Sequence, residues 1–115
     1  MTRPTRPISW LRAVRKEFEA FPAPVQTEAV RVLTVAAEGE KSDNVKPLKG
    51  FGASVLEIVL KHDGNAFRVL YAVQLDDDIW VFHAFQKKST QGSETPKHEM
   101  ETAQKRLKRL KEMLR

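Results

Sequence analysis

The residue pattern predicts an α+β fold, with helices packed on one face of a small antiparallel sheet. Three observations carry this. Apolar residues recur at helical spacing over 11–36, and they alternate over 55–86 between turn-rich breaks. A second helical period then runs from 100 to 114. Strands that follow helices, rather than alternating with them, argue against a doubly wound parallel sheet.

Segment 1–7 reads as a flexible polar arm, since Pro4 and Pro7 oppose helix there. Ile8–Trp10 suits a short edge strand. Leu11, Val14, Phe18 and Phe21 then mark one face of a first helix. Phe21-Pro22-Ala23-Pro24 ends it, and Pro24 suits the opening turn of a second. Val25, Ala29, Val32, Leu33 and Ala36 form the apolar face of that helix, and Gly39 stops it. The pair is an αα-hairpin. Segment 40–52 is polar and turn-rich, and reads as loop.

Over 55–61 the side chains alternate. Leu56, Ile58 and Leu60 lie on one side, and Val55, Glu57, Val59 and Lys61 on the other. His62-Asp63-Gly64-Asn65 is a tight hairpin signal. The strand over 66–74 sets Phe67, Val69, Tyr71 and Val73 on one face and Arg68, Leu70 and Ala72 on the other. Asp76-Asp77-Asp78 makes a second turn, more simply a solvated hairpin than a cation site. A third strand over 79–86 is almost continuously apolar, as in strands covered on both faces. His83 falls on the side of Ile79, Val81 and Phe85. Segment 87–94 reads as loop. Thr95 is then the expected N-cap, with Pro96 in the first turn of a C-terminal helix over 95–114.

The 115 residues suit one domain, and 41% hydrophobic against 30% charged residues suits a globular one. The absence of cysteine excludes thiolate catalysis, a zinc ribbon and a disulfide framework. No apolar run approaches the roughly 18 residues of a membrane-spanning helix. No apolar stretch of a secretory signal follows Arg3 and Arg6. Twenty Lys and Arg against fifteen Asp and Glu leave a net charge of +5. That excess favours a polyanionic partner. The three histidines lack metal-ligand spacing, so no metal and no cofactor is expected.

Arg68 lies mid-strand, where an unpaired guanidinium is costly to bury. It either pairs with Glu57 across the hairpin or clamps a phosphate, whose oxygens suit its planar fork. Lys87 and Lys88 follow the third strand, as a solvated turn or as cations held at a rigid strand end. His83 is a hydrogen-bonded core residue or a proton-transfer group. Tyr71 is core, or it stacks on a base. These residue types suit RNA cleavage without a metal, because the 2′-hydroxyl can attack the adjacent phosphate. Arg and Lys then stabilise the phosphoryl charge, and a His or Lys moves protons.

Several pieces stand in a familiar order. They are Lys46-Pro47-Leu48-Lys49-Gly50-Phe51-Gly52, Leu56-Glu57-Ile58, Phe67-Arg68-Val69-Leu70-Tyr71-Ala72, then Val81 to Ser89 (VFHAFQKKS), and Thr95-Pro96. The ordered set resembles the RelE/ParE toxin superfamily in its HigB-type, phage-derived branch, over about 8–110. The resemblance implies a RelE-like fold. It implies the toxin of a type II toxin–antitoxin system, cleaving mRNA on the ribosome with contacts to ribosomal RNA. The implied partner is a helix-turn-helix antitoxin of the HigA type, and the implied compartment is the cytoplasm.

Arg68 matches the strand arginine set on the scissile phosphate, and Lys87 and Lys88 match the basic pair after the last strand. With His83 as a remote candidate base, these are the candidate catalytic residues. Lys46, Lys49, Lys61 and Tyr71 are candidate RNA contacts. Where RelE carries catalytic lysines on its first meander strand, this chain has Glu57 and Val59, and its last helix lacks tyrosine. RelE's acid–base assignment therefore does not carry over. A ParE-like gyrase inhibitor, or a non-catalytic module that binds antitoxin or RNA, remains open on the same scaffold.

Overall fold

A computed structural model of the chain describes residues 5–52, 54–87 and 95–114. Eight elements follow in order: β1 (Ile8–Trp10), α1 (Arg12–Glu19), α2 (Ala23–Ala37), β2 (Val45–Pro47), β3 (Val55–His62), β4 (Asn65–Ala72), β5 (Ile79–Lys87) and α3 (Lys97–Met113). The strands make one sheet in the order β1-β5-β4-β3-β2. The β3–β4–β5 meander is antiparallel, as expected. The β3–β4 turn takes positive φ at Asp63 (49°) and Gly64 (78°), which matches the right-handed twist of a two-residue hairpin.

Both edges add something to the expectation. β1 is the predicted short edge strand, and it runs parallel to β5 with Ile8 opposite Ile79. β2 lies inside the stretch read as loop, pairing antiparallel with β3. Its three residues include Lys46 and Pro47, which carry no strand pattern but are well tolerated on an edge.

Contrary to the expectation from periodicity, the helices do not share one face of the sheet. The α1–α2 hairpin covers one face, where Val14, Phe18, Val25, Ala29, Val32 and Leu33 meet Ile58, Leu60, Phe67, Val69, Tyr71 and Val81. α3 covers the other, where Ala103, Leu107 and Leu110 meet Val55, Leu70, Ala72 and Phe82. Three layers explain why β5 is apolar on both sides. Phe21 lies beyond the end of α1, with its ring edge-on to Phe67 at 5.0 Å.

A bulge in β5 decides which groups reach α3. Leu70 stands opposite His83 but Tyr71 opposite Val81, so Phe82 is the extra residue. Ile79 and Val81 face the hairpin. Phe82 packs under α3, and His83 bonds to α3 side chains. The expectation that His83 shares a side with Ile79 and Val81 is thereby corrected. Strict alternation does not survive an inserted residue.

The arm is held where it is described. Arg6 Nε donates to the Asp77 carbonyl at 3.0 Å. Its Nη2 donates to the carbonyls of Val73, Asp76 and Asp78. Ser9 Oγ donates to Asp78 Oδ2 at 2.6 Å, and Asp76 Oδ1 accepts from the Asp78 amide and Trp80 Nε1. The acidic turn is thus stitched to β1 by its own backbone and carboxylates.

Two stability predictions follow from these contacts. Arg6→Ala is expected to cost about 2 kcal/mol, because charged hydrogen bonds to four carbonyls are lost; urea unfolding measures it. Tyr71 is fully buried in the hairpin-side core, and its hydroxyl has no hydrogen-bond partner among the described residues. Burial pushes that phenol up to about 12. Tyr71→Phe removes an unsatisfied buried group and should raise stability by about 1 kcal/mol, read as a higher midpoint in the same experiment.

Candidate functional site

The α3 side of the sheet turns from apolar to charged toward the β3–β4 hairpin. Strand register sets this out in rows. Lys46 stands opposite Glu57, Glu57 opposite Leu70, and Leu70 opposite His83. The next row is Val59, Arg68 and Phe85, and the last is Lys61, Ala66 and Lys87. Lys46, Lys61, Arg68 and Lys87 come from four different strands, so only sheet pairing gathers them.

Glu57 is the hub. It is fully buried, and Arg68 is 4% exposed. Arg68 Nη1 donates to Glu57 Oε1 at 3.2 Å, and Lys46 Nζ lies 3.5 Å from the same oxygen. Thr95 Oγ1 donates to Glu57 Oε2 at 3.0 Å and accepts from Arg68 Nη1 at 3.4 Å. Of the two readings open for Arg68, pairing with Glu57 is the one present in this conformation. Thr95 is not the N-cap. Pro96 takes that position with no side-chain cap, because the threonine hydroxyl is turned to Glu57.

His83 belongs to a second network. Arg106 of α3 donates to His83 Nδ1 at 2.8 Å. Its guanidinium also grips both Glu17 carboxylate oxygens, at 2.7 and 2.9 Å. A guanidinium only donates, so Nδ1 accepts; Nε2 then carries the hydrogen and donates to Glu99 Oε1 at 2.9 Å. α1, β5 and α3 are tied together through Arg106, which reaches both Glu17 and His83. Both ring nitrogens are engaged in hydrogen bonds in this conformation.

The other candidates divide by position. Lys87 is 1% exposed at the end of β5. Lys61 and Lys46 are exposed, the Lys46 side chain by 51%. Lys49 is exposed in the loop after β2, beside the Gly50 carbonyl that accepts from Gln104 of α3. Lys88 lies outside the described residues. Tyr71, expected as an RNA contact, faces the opposite core and reaches no surface. Its strand parity puts it with Phe67 and Val69, under the hairpin. Thr95 and Arg106 were missed as site residues. No spacing signal links Arg106 to Glu17, 89 positions earlier.

The His83 network has a pH consequence. Burial lowers the imidazole pKa from its ordinary 6.5, and Arg106 lowers it further, against the raising influence of the Glu99 hydrogen bond and of the Glu17 and Glu99 charges. A depressed folded-state pKa stabilises the fold above the unfolded value. That contribution is lost as pH falls below about 6.5 and through the folded value. Thermal midpoints should therefore drop on acidification from pH 8 toward pH 5 more steeply in the wild type than in His83→Gln. Parallel profiles would refute the assignment.

The comparisons with known proteins agree with this architecture. A family profile described as "Phage derived protein Gp49-like (DUF891)" matches residues 16–108. A mutant of the E. coli toxin RelE, solved in the free state, superposes with a TM-score of 0.59 at 15% identity, covering 92% of this chain and 98% of that one. A comparison with curated proteins gives no match. The RelE-like fold expected from the ordered motifs is present, with its C-terminal helix. Because the profile spans about four fifths of the chain, the protein belongs to the Gp49-like family of phage-derived proteins.

Proposed function

We propose that this protein is the toxin of a type II toxin–antitoxin pair and cleaves mRNA on the ribosome without a metal. The observation that carries the reading is the convergence of Lys46, Lys61, Arg68 and Lys87 on one end of the α3 face of the sheet. Family and fold support it by analogy.

In this reading Arg68 neutralises the scissile phosphate. The 2′-hydroxyl gives its proton to the neutral form of Lys49 or to water as it attacks phosphorus, the 5′-oxygen leaves, and the products are a 2′,3′-cyclic phosphate and a 5′-hydroxyl. Lys87 or Lys88 delivers the proton to the leaving oxygen, and Lys49 is a further candidate for proton transfer. Lys46, Lys49 and Lys61 hold the RNA backbone, with the salt sensitivity of phosphate contacts. His83 and Tyr71 take no part. A HigA-type helix-turn-helix antitoxin and a cytoplasmic site of action belong to the same proposal. Among the described residues no helix is long and apolar enough to cross a membrane.

The test is primer extension on a defined mRNA with and without translating ribosomes. The wild type should cut within codons only when ribosomes are present. Arg68→Ala should lose about 10²–10³-fold in rate while keeping a folded circular dichroism spectrum, as expected when one stabilising donor is removed. Intact mRNA alongside a DNA-damage response in expressing cells would replace this reading with gyrase inhibition.

A further inference from the structure

A phosphate clamp whose guanidinium is already bound to a carboxylate faces a competition. Arg68 donates to Glu57 at 3.2 Å, and Lys46 lies 3.5 Å from the same oxygen. The carboxylate is fully buried, and Thr95 secures its other oxygen at 3.0 Å. Carboxylate and phosphate oxygens offer a guanidinium the same kind of acceptor. We infer that Glu57 is a resident anion in this site, and that RNA enters by displacing it from Arg68 and Lys46. The inference rests on the reading of Arg68 as a phosphate ligand.

The geometry also says what substrate such a site accepts. Glu57 is tethered to β3, so its effective concentration at Arg68 is at least in the range of mM, as for any short tether. RNA diffusing freely at far lower concentration loses that competition. RNA that a larger assembly holds against the protein gains an effective concentration of its own and competes on similar terms. Lys46 can follow the arriving phosphate, because half its side chain is exposed. Thr95 acts as the bolt. It joins Glu57 to the segment that opens α3, and releasing its hydroxyl frees Oε2 first. Glu57 and Thr95 are thus positioning residues, acting through Arg68, that select presented RNA over free RNA.

The experiment measures free RNA binding by fluorescence anisotropy at low salt. The probe is a short, mixed-sequence single-stranded RNA with 2′-O-methyl groups, which cannot be cut by 2′-hydroxyl attack. Glu57→Gln should bind about tenfold tighter than the wild type, the size of one charge-assisted contact no longer opposed. Thr95→Val should shift the same way by less. Glu57→Gln/Arg68→Ala should lose the gain. Glu101→Gln, at an exposed position on α3, reports what removing one carboxylate does through net charge alone.

Affinity no tighter in folded Glu57→Gln than in Glu101→Gln overturns the inference. So does a gain that survives without Arg68. If Glu57→Gln fails to fold, Thr95→Val decides, and unchanged affinity in that folded variant overturns it. Primer extension separates the two readings. Ribosome-dependent cuts with no binding gain remove the resident anion and leave the nuclease. A binding gain with intact mRNA removes the nuclease and leaves an anion-gated phosphate site.

Discussion

A buried guanidinium inside a sheet is costly without a partner, and the pairing of Arg68 with Glu57 anchors the centre of the charged end of this molecule. Glu57 draws Lys46 from the edge strand and Thr95 from the entry to α3. Removing one partner would strand the other charge in a low-dielectric site, at about 3–5 kcal/mol. Replacing both by apolar residues would cost far less. The pair is therefore better understood as a device for positioning than as a source of stability.

α3 expresses the same division along its length. Ala103, Leu107 and Leu110 seal the apolar half of its interface. Glu99 and Arg106 cross to His83 and Glu17. Thr95, just ahead of the helix, reaches Glu57. One element thus reads out both polar networks, and its docking couples the hairpin layer to the face that bears Arg68. The bulge at Phe82 makes this possible, since it turns His83 toward α3 and leaves Val81 for the hairpin.

Much of this was legible before any coordinates. The αα-hairpin, the His62–Asn65 turn, and both faces of β3 and β4 follow from periodicity and turn chemistry, and the cost of burying a charge made Glu57 one of two partners open to Arg68. What failed had physical causes. β2 is too short and too polar to show a period. Thr95 has the chemistry of a cap, but a buried carboxylate outcompeted the helix N-terminus for its hydroxyl. Tyr71 carries a polar group that no described residue hydrogen-bonds, so its type suggested contact with RNA where its position gives packing in the hairpin-side core.

The local order of helices and strands and the apolar stripe of each were set by neighbours a few positions apart, and the basic excess by composition alone. Packing between distant residues places α3 on the second face, turns His83 toward it, and brings Lys46, Lys61, Arg68 and Lys87 from four strands to one end of that face, with Arg68 and Lys87 buried there. These depend on contacts between residues far apart in the chain. A single inserted residue in β5 is enough to reverse the face of His83. Patterns of spacing carry no record that Arg106 will meet Glu17, 89 positions earlier in the chain.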